Sequence, residues 1–265
     1  MAFVNYIPGV PLFKADFVGL KNFRDFFSLQ SSMLVIRNTL VISGLQLLIG
    51  FPIPIVFALL LSEIKNKLYK KSLQTISYLP HFISWVVTAS LAYTFFSTEG
   101  LINEWILRLG IRENSISYLG EGKYYWSIIT GVNIWKTMGW SSVLYLSAIA
   151  GIDPELYEAG EVDGLSRLGK VIYITLPSIL PTLVFLWVFS VAGMLNAGFE
   201  QHLLLGNVQT REYWDVIDTY AYRFGIGMGR YSFGTAVSFM KSIISLTLVF
   251  SSNALVKKLF NLSLF

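Results

Sequence analysis

The chain has 265 residues, of which 54% are hydrophobic and only 14% charged, and its mean hydropathy is +0.58. A soluble domain carries about 25% charged residues and needs polar cover for its core, so the composition excludes a disordered chain or a nucleic-acid-binding tail and points to the membrane. The net charge is +4 and cysteine is absent, which excludes thiol catalysis, thiolate metal sites and disulfides.

A spanning helix needs roughly 20 mostly apolar residues. Residues 1–37 hold no such run and no secretory signal. They form an aromatic-rich lead-in, with Phe13, Phe17, Phe23, Phe26 and Phe27, expected to lie along the membrane surface or on neighbouring helices. Five apolar runs follow and are predicted as spans over 38–62, 72–96, 124–150, 176–197 and 233–256. Pro52, Pro54, Pro80 and Pro181 fall in or near them, where neighbouring helices can satisfy the freed backbone groups. The runs are continuous, unlike the short alternating segments of a membrane barrel. The predicted fold class is therefore an all-α, polytopic transmembrane helix bundle.

Basic residues set the orientation. Lys65, Lys67, Lys70 and Lys71 follow the first span, Arg167 and Lys170 follow the third, and Lys257 and Lys258 close the fifth. These segments are read as cytoplasmic, which places 1–37, 97–123 and 198–232 outside. The loop 97–123 is read chiefly as cover for the bundle, the alternative being a short amphipathic helix around Ile102–Leu109 lying at the interface. Five spans put an extracellular segment at the start of the chain with nothing visible to carry it across; either the orientation is reversed or a further span precedes Met1.

The loop between the third and fourth spans carries the most information. Asp153 reads as an N-cap, Pro154 as the first helical residue and Glu155 as a first-turn acid, and Gly164 closes the helix. A second short helix is expected before Pro177 opens the fourth span. Glu158-Ala159-Gly160, then Gly164, Ile174, Leu176 and Pro177 at their spacings, resemble the EAA loop of ABC importer permeases, with Gly160 replacing the second Ala of that pattern. Phe17–Phe23, Arg37–Thr39, Ser77–Trp85, Leu195–Gln201 and Asp218–Tyr220 extend the resemblance to the carbohydrate-uptake branch, and within it to permeases of LplB type and of alginate importers.

The resemblance implies one transmembrane domain over 1–265, an extracellular lead-in over 1–37 and a cytoplasmic coupling loop over 151–176. It implies six core spans, with this chain starting inside the family's first extracellular loop. It further implies a multi-pass bacterial inner-membrane permease for oligosaccharides or polysaccharide fragments that works by alternating access. The expected partners are a second homologous permease, two copies of an ABC ATPase and an extracellular solute-binding protein. Glu158, Ala159, Gly160, Asp163, Gly164, Ile174, Leu176 and Pro177 become the ATPase-coupling residues. Small Ala159 and Gly160 would permit close approach to the ATPase, and Glu158, Glu161 and Asp163 would meet its basic donors.

No catalytic or metal-binding residue is expected. The phosphate-cradling pattern G-x4-G-K-[ST] is absent: Gly131–Thr137 lacks the second Gly, and Gly225–Gly229 lacks the Lys. ATP and Mg²⁺ therefore belong to a partner chain, and this chain carries no cofactor. His81 and His202 form no metal-spaced cluster.

Polar residues inside spans are costly and suggest function. Asn133, Trp135, Lys136, Trp140, Asn196, Glu200, Gln201 and Lys241 are the candidate substrate-path residues. Aromatic faces stack on sugar C–H faces, Asn and Lys bond hydroxyls, and a lysine suits a uronate. The alternative for Lys136 and Lys241 is snorkelling or bonding to backbone carbonyls. His202 is read at an outer gate or receptor contact, or as an interfacial anchor. Two other functions remain open to the sequence: a permease for another solute, and an ATP-independent secondary transporter, which would favour inverted repeats and midplane carboxylates not visible in the spans.

Overall fold

The computed structural model describes residues 1–261. They are helical apart from one short antiparallel pairing, β1 (Val4–Asn5) on β2 (Asp16–Phe17), in register Val4 to Phe17. The helices in chain order are α1 (Lys21–Ser28), α2 (Gln30–Ser62), α3 (Lys67–Phe82), α4 (Trp85–Phe96), α5 (Leu101–Arg108) and α6 (Gly122–Ala150). Then come α7 (Pro154–Val162), α8 (Arg167–Ala192), α9 (Glu200–Leu205), α10 (Arg211–Trp214), α11 (Ile217–Tyr222) and α12 (Tyr231–Phe260).

The all-helical class holds, and the helices differ from the predicted spans in their bounds. Among the described residues, α2, α8 and α12 are long and apolar enough to cross a membrane, and a fourth span results if α3 and Trp85–Arg108 form one broken crossing. Helix α6 coincides with the third predicted span. It is about 43 Å long, but Lys123, Asn133 and Lys136 dilute its apolar character. The second run is not one helix: it breaks at Ile83–Ser84, where Ser84 Oγ accepts the Val87 N–H and starts α4. Helix α2 begins at Gln30, ahead of the first predicted span.

The fourth span starts at Arg167, well before Pro177, and ends at Ala192 rather than 197. A proline clashes with the carbonyl four residues before it and removes one helical hydrogen bond. A π turn at Val171–Thr175 widens the helix immediately before Pro177, and the Leu176 N–H bonds Val171 O. The separate short helix expected there is thus the first turn of α8. Helix α2 uses the same device: a π turn at Gln46–Gly50, with Phe51 N–H on Gln46 O at 2.8 Å, precedes Pro52 and Pro54. Such single π turns let a helix pass a local irregularity without ending.

Two compact units make up the chain, and each has its own core. The first comprises 1–45, 84–132 and 193–247. Ile42, Ala89, Ala92, Tyr125, Ile129, Leu205, Trp214 and Val216 form its apolar centre. A second cluster joins Phe26, Tyr220, Phe224 and Phe233, with ring centroids 4.5–6.4 Å apart. The lead-in aromatics divide accordingly: Phe26 is buried and Phe23 packs on Phe3 and Phe239, while Phe13, Phe17 and Phe27 are exposed.

The irregular stretch 206–217 in this unit is held by Arg37-Asn38-Thr39. Asn38 Nδ2 donates to Glu212 O (2.9 Å) and Asp215 O (3.0 Å), Arg37 Nη2 donates to Glu212 O (2.6 Å), and Thr39 Oγ1 accepts the Ile217 N–H (3.0 Å). Asn38 and Thr39 are fully buried. Buried backbone groups outside helices need such partners.

The second unit comprises 46–83, 133–192 and 248–261. Val184, Val188 and Val256 centre one cluster, with Leu180 and Trp187 around them. Helix α6 lies against α3 so closely that a Cβ on Gly139 would overlap Ser77 O. Any larger residue at 139 collides with backbone, which cannot move aside as a side chain does.

His202 belongs to the core of the first unit and is fully buried. Its Nε2 lies 3.1 Å from Ala197 O, and its Nδ1 lies 2.9 Å from the Tyr125 hydroxyl. A carbonyl only accepts, so Nε2 carries the proton and Nδ1 accepts from Tyr125. This replaces the expected gate or receptor contact with a packing role. Burial pushes the imidazole pKa down to about 4, against about 6.5 in an unfolded chain. Between these values the unfolded chain binds a proton that the folded one does not, so stability is full above the upper value and falls as pH drops. Thermal unfolding in detergent is expected several degrees lower at pH 5 than at pH 7. His202→Gln should be less stable at pH 7 and lose most of that pH dependence.

Candidate functional site

The coupling loop is built from helix-terminus chemistry. Asp153 Oδ1 accepts the Glu155 N–H at 3.0 Å, and Pro154 takes the first helical position of α7. At the other end, Leu165 N–H bonds Gly160 O (2.9 Å) and Gly164 N–H bonds Glu161 O (3.1 Å). Gly164 has φ of +76°. This bond pair around a left-handed residue is a Schellman cap, for which glycine is the low-cost choice. Ser166 then caps α8, accepting the Gly169 N–H at 3.1 Å.

Three ties fasten α7 to the start of α8. The Tyr157 hydroxyl meets Thr175 Oγ1 at 3.0 Å. Lys170 pairs with Glu161, and this hydrogen bond holds the Glu161 carboxyl below the usual carboxylate range. Gly160 is buried, and a Cβ there would come to 2.7 Å from Ile174 Cδ1 and 3.1 Å from Leu165 Cδ1. Two expectations change. The smallness of Gly160 serves packing within the chain rather than approach of a partner, and Glu161 already has its cation. Glu158, Ala159, Asp163 and Gly164 remain exposed, together with Val162, which is 89% exposed. Ile174 and Leu176 are half-buried, and Pro177 is exposed on α8. Tyr157, Leu165, Lys170 and Thr175 complete the site; no sequence pattern singles out Tyr157, Lys170 and Thr175, because their partners lie 9 to 18 positions away.

The path candidates divide between the units. In the second unit, Lys136 Nζ donates to Pro80 O (3.2 Å), His81 O (2.9 Å) and Ile83 O. These carbonyls end α3, where the helix ladder runs out; Pro80 O also accepts the Ile83 N–H at 3.2 Å, and the cation suits the negative helix end. The carbonyl-bonding alternative is the arrangement found for this lysine. One turn on, Trp140 stacks on His81 with centroids 4.8 Å apart and planes at 6°, and meets Phe82 edge-on at 5.7 Å. Asn133 is half-buried and Trp135 is exposed.

In the first unit, Asn196 and Glu200 are exposed, and Gln201 Nε2 donates to Ala197 O at 3.0 Å. Lys241 Nζ pairs with Asp218 Oδ1 at 2.5 Å. Asp218 lies outside the predicted spans, so the sequence showed the lysine without its counter-charge. Among the described residues, no group of His, Asp or Glu is placed to hold a metal ion. Lys136→Met removes the cation shared by three carbonyls at the end of α3, and of these Pro80 O keeps the Ile83 N–H. It is expected to lower stability by about 2 kcal/mol, read as a drop in the unfolding midpoint of the purified protein in detergent.

Comparison with known proteins places this geometry. The sequence pattern described as binding-protein-dependent transport system inner membrane component matches residues 50–261. Protein LplB of Bacillus subtilis (strain 168) is 39% identical over 259 residues, covering 97% of this chain and 81% of the relative. The polygalacturonan/rhamnogalacturonan transport system permease protein YteP of the same strain is 40% identical, covering 97% and 80%. Among solved structures, a chain of a bacterial alginate ABC transporter in complex with an alginate pentasaccharide-bound periplasmic protein superposes with a TM-score of 0.89. Its sequence identity is 38%, over 93% of this chain and 85% of that one. The chain belongs to the binding-protein-dependent transport system inner membrane component family and is a multi-pass permease of an ABC importer in the inner membrane.

Proposed function

We propose that this permease imports oligosaccharides or polysaccharide fragments, drawing energy from an ATPase on separate chains. Of two ATPase copies, which bind ATP and Mg²⁺, one docks on α7 and the other on a second homologous permease that completes the path; an extracellular solute-binding protein delivers the sugar. The observation that carries this reading is the coupling helix. Glu158, Asp163 and Val162 face outward from a helix that Tyr157–Thr175, Glu161–Lys170 and the Gly160–Ile174 contact tie to α8. A short helix so fastened passes displacement to a spanning helix as a lever, where a loosely tethered loop would absorb it. The named substrates of the relatives, polygalacturonan, rhamnogalacturonan and alginate, are saccharides, and they support the substrate class.

The coupling set is Glu158, Ala159, Gly160, Asp163, Gly164, Ile174, Leu176 and Pro177. Glu158, Ala159 and Asp163 meet the ATPase, while Gly160, Gly164 and Ile174 shape and seat the helix. The sugar path uses Asn133, Trp135, Trp140, Asn196, Glu200, Gln201 and Lys241, with Lys136 acting by holding the carbonyls beside His81 and Phe82. Glu158→Lys reverses the charge at the outward face of α7 without touching its ties. In proteoliposomes holding the assembled transporter, it is expected to abolish sugar-stimulated ATP hydrolysis and uptake while assembly persists. Unchanged coupling would overturn the reading.

A further inference from the structure

A polar cleft of about 350 Å³ lies in the first unit, lined by Tyr6, Lys21, Asn22, Asp25, Arg230 and Ser232 among others. Its place in the fold sets its depth. One wall is the first turn of α12, a 30-residue helix long and apolar enough to span. Such a helix is about 45 Å long, the thickness of a bilayer with its headgroups, so its first turn stands at headgroup level. Another wall is α1, which Leu29 alone separates from the spanning helix α2. The distribution of basic residues makes this end of the spans the outer one.

The lining has donors to spare. The Lys21 ammonium has no hydrogen-bond or ion-pair partner among the described residues. The Arg230 guanidinium rests on the Phe233 ring at 4.4 Å and reaches Asp25 only at 3.7 Å, so most of its N–H groups are open. Ser232 Oγ accepts the Tyr6 N–H at 2.8 Å and keeps its own O–H to donate. Buried Asn22 spends Nδ2 on Ala2 O at 2.9 Å, which leaves Oδ1 as an acceptor. Two cations against one carboxylate give the cleft an excess positive charge. Exposed apolar side chains edge the same segments. Ile7 lines the cleft and is 57% exposed, Leu20 stands beside Lys21, and Phe17, 79% exposed, stands beside the lining residue Val18. A small water-soluble anion would satisfy the cations and leave this apolar edge bare. An amphiphile with an anionic head covers both.

We propose that this cleft holds the headgroup of an anionic phospholipid of the outer leaflet. Lys21, Arg230 and the Ser232 hydroxyl take the phosphodiester oxygens, and the acyl chains leave over Ile7, Phe17 and Leu20. Asp25 and Asn22 Oδ1 accept from hydroxyls of a glycerol headgroup. The single negative charge of such a lipid matches the excess cation, whereas a choline headgroup brings a second cation and no hydroxyl. The bound lipid fastens the lead-in to the outer end of α12. The inference does not depend on which solute is imported.

The test uses the complete transporter, purified in detergent and stripped of lipid, with bound lipid counted by native mass spectrometry. Phosphatidylglycerol should bind at least fivefold more tightly than phosphatidylcholine. Lys21→Gln, a change at an exposed side chain, should bring the two within about twofold by weakening phosphatidylglycerol alone; unchanged phosphatidylcholine binding reports an intact complex. Lys21→Arg should retain the preference. Excess glycerol 3-phosphate, which offers the head without the chains, should leave phosphatidylglycerol bound. Equal binding of the two lipids by wild type, or an equal loss of both in Lys21→Gln, overturns the inference. Displacement by glycerol 3-phosphate assigns the cleft to a free anion and overturns it as well. Unchanged phosphatidylglycerol binding in Lys21→Gln together with weakened docking of the solute-binding protein assigns the cleft to that protein and likewise overturns it.

Discussion

In a bilayer no water is available to satisfy a freed backbone group, so every interruption of a helix must be closed by the protein itself. That constraint accounts for most of the specific chemistry in this chain. At the break after α3, the ammonium of Lys136 collects three carbonyls. At the irregular stretch after α9, which lies outside the predicted spans but is partly buried in the first unit, Arg37, Asn38 and Thr39 likewise supply donors and an acceptor to main-chain groups. Before Pro52 and Pro177 the backbone solves the problem alone, by shifting to a π turn. A polar residue on an apolar helix is expensive; here several are retained because the alternative, a bare carbonyl, costs more.

The coupling helix follows the same logic outside the bilayer. Its ends are capped by Asp153 and by the Gly164 turn, and its body is fastened by a hydroxyl pair, an ion pair and an apolar seat. An exposed ion pair such as Lys170–Glu161 contributes little stability by itself. Its value here is geometric: with the Tyr157–Thr175 bond it fixes the angle at which Glu158 and Val162 are presented. Gly160 illustrates how one residue meets two demands. The backbone approaches Ile174, and the space beneath receives Leu165 from the Schellman turn; a Cβ at 160 would push the ends of both side chains aside.

Much of this was legible in the sequence, for identifiable reasons. Apolar runs mark membrane helices because the bilayer acts on composition alone, and the all-helical class follows from that. Caps are local chemistry, so Asp153, Pro154 and Gly164 mark the two ends of a helix by residue type and spacing alone. The EAA-like spacing from Glu158 to Pro177 also survives as spacing. What spacing could not reveal was the direction each residue faces: Gly160 and Ile174 turn toward each other, while Glu158 and Asp163 turn outward. The break at Ile83–Ser84 was hidden because apolar composition continues across it, and the early start of α8 was hidden because Pro177 reads as a helix opening unless a π turn precedes it.

The sequence by itself determined that the chain is a helical membrane protein, where its principal loops fall and which loop carries the coupling pattern, because hydropathy, caps and turns act over a few residues. Only the tertiary structure decided which polar side chains serve the backbone and which remain to meet other molecules. Lys136 and Lys241 look alike in sequence, each a lone cation on an apolar helix. Folding sends one to the carbonyls of Pro80, His81 and Ile83 and the other to Asp218 beside an open cleft. Their partners lie between 23 and 56 positions away, and charges that distant meet only when packing brings their helices together.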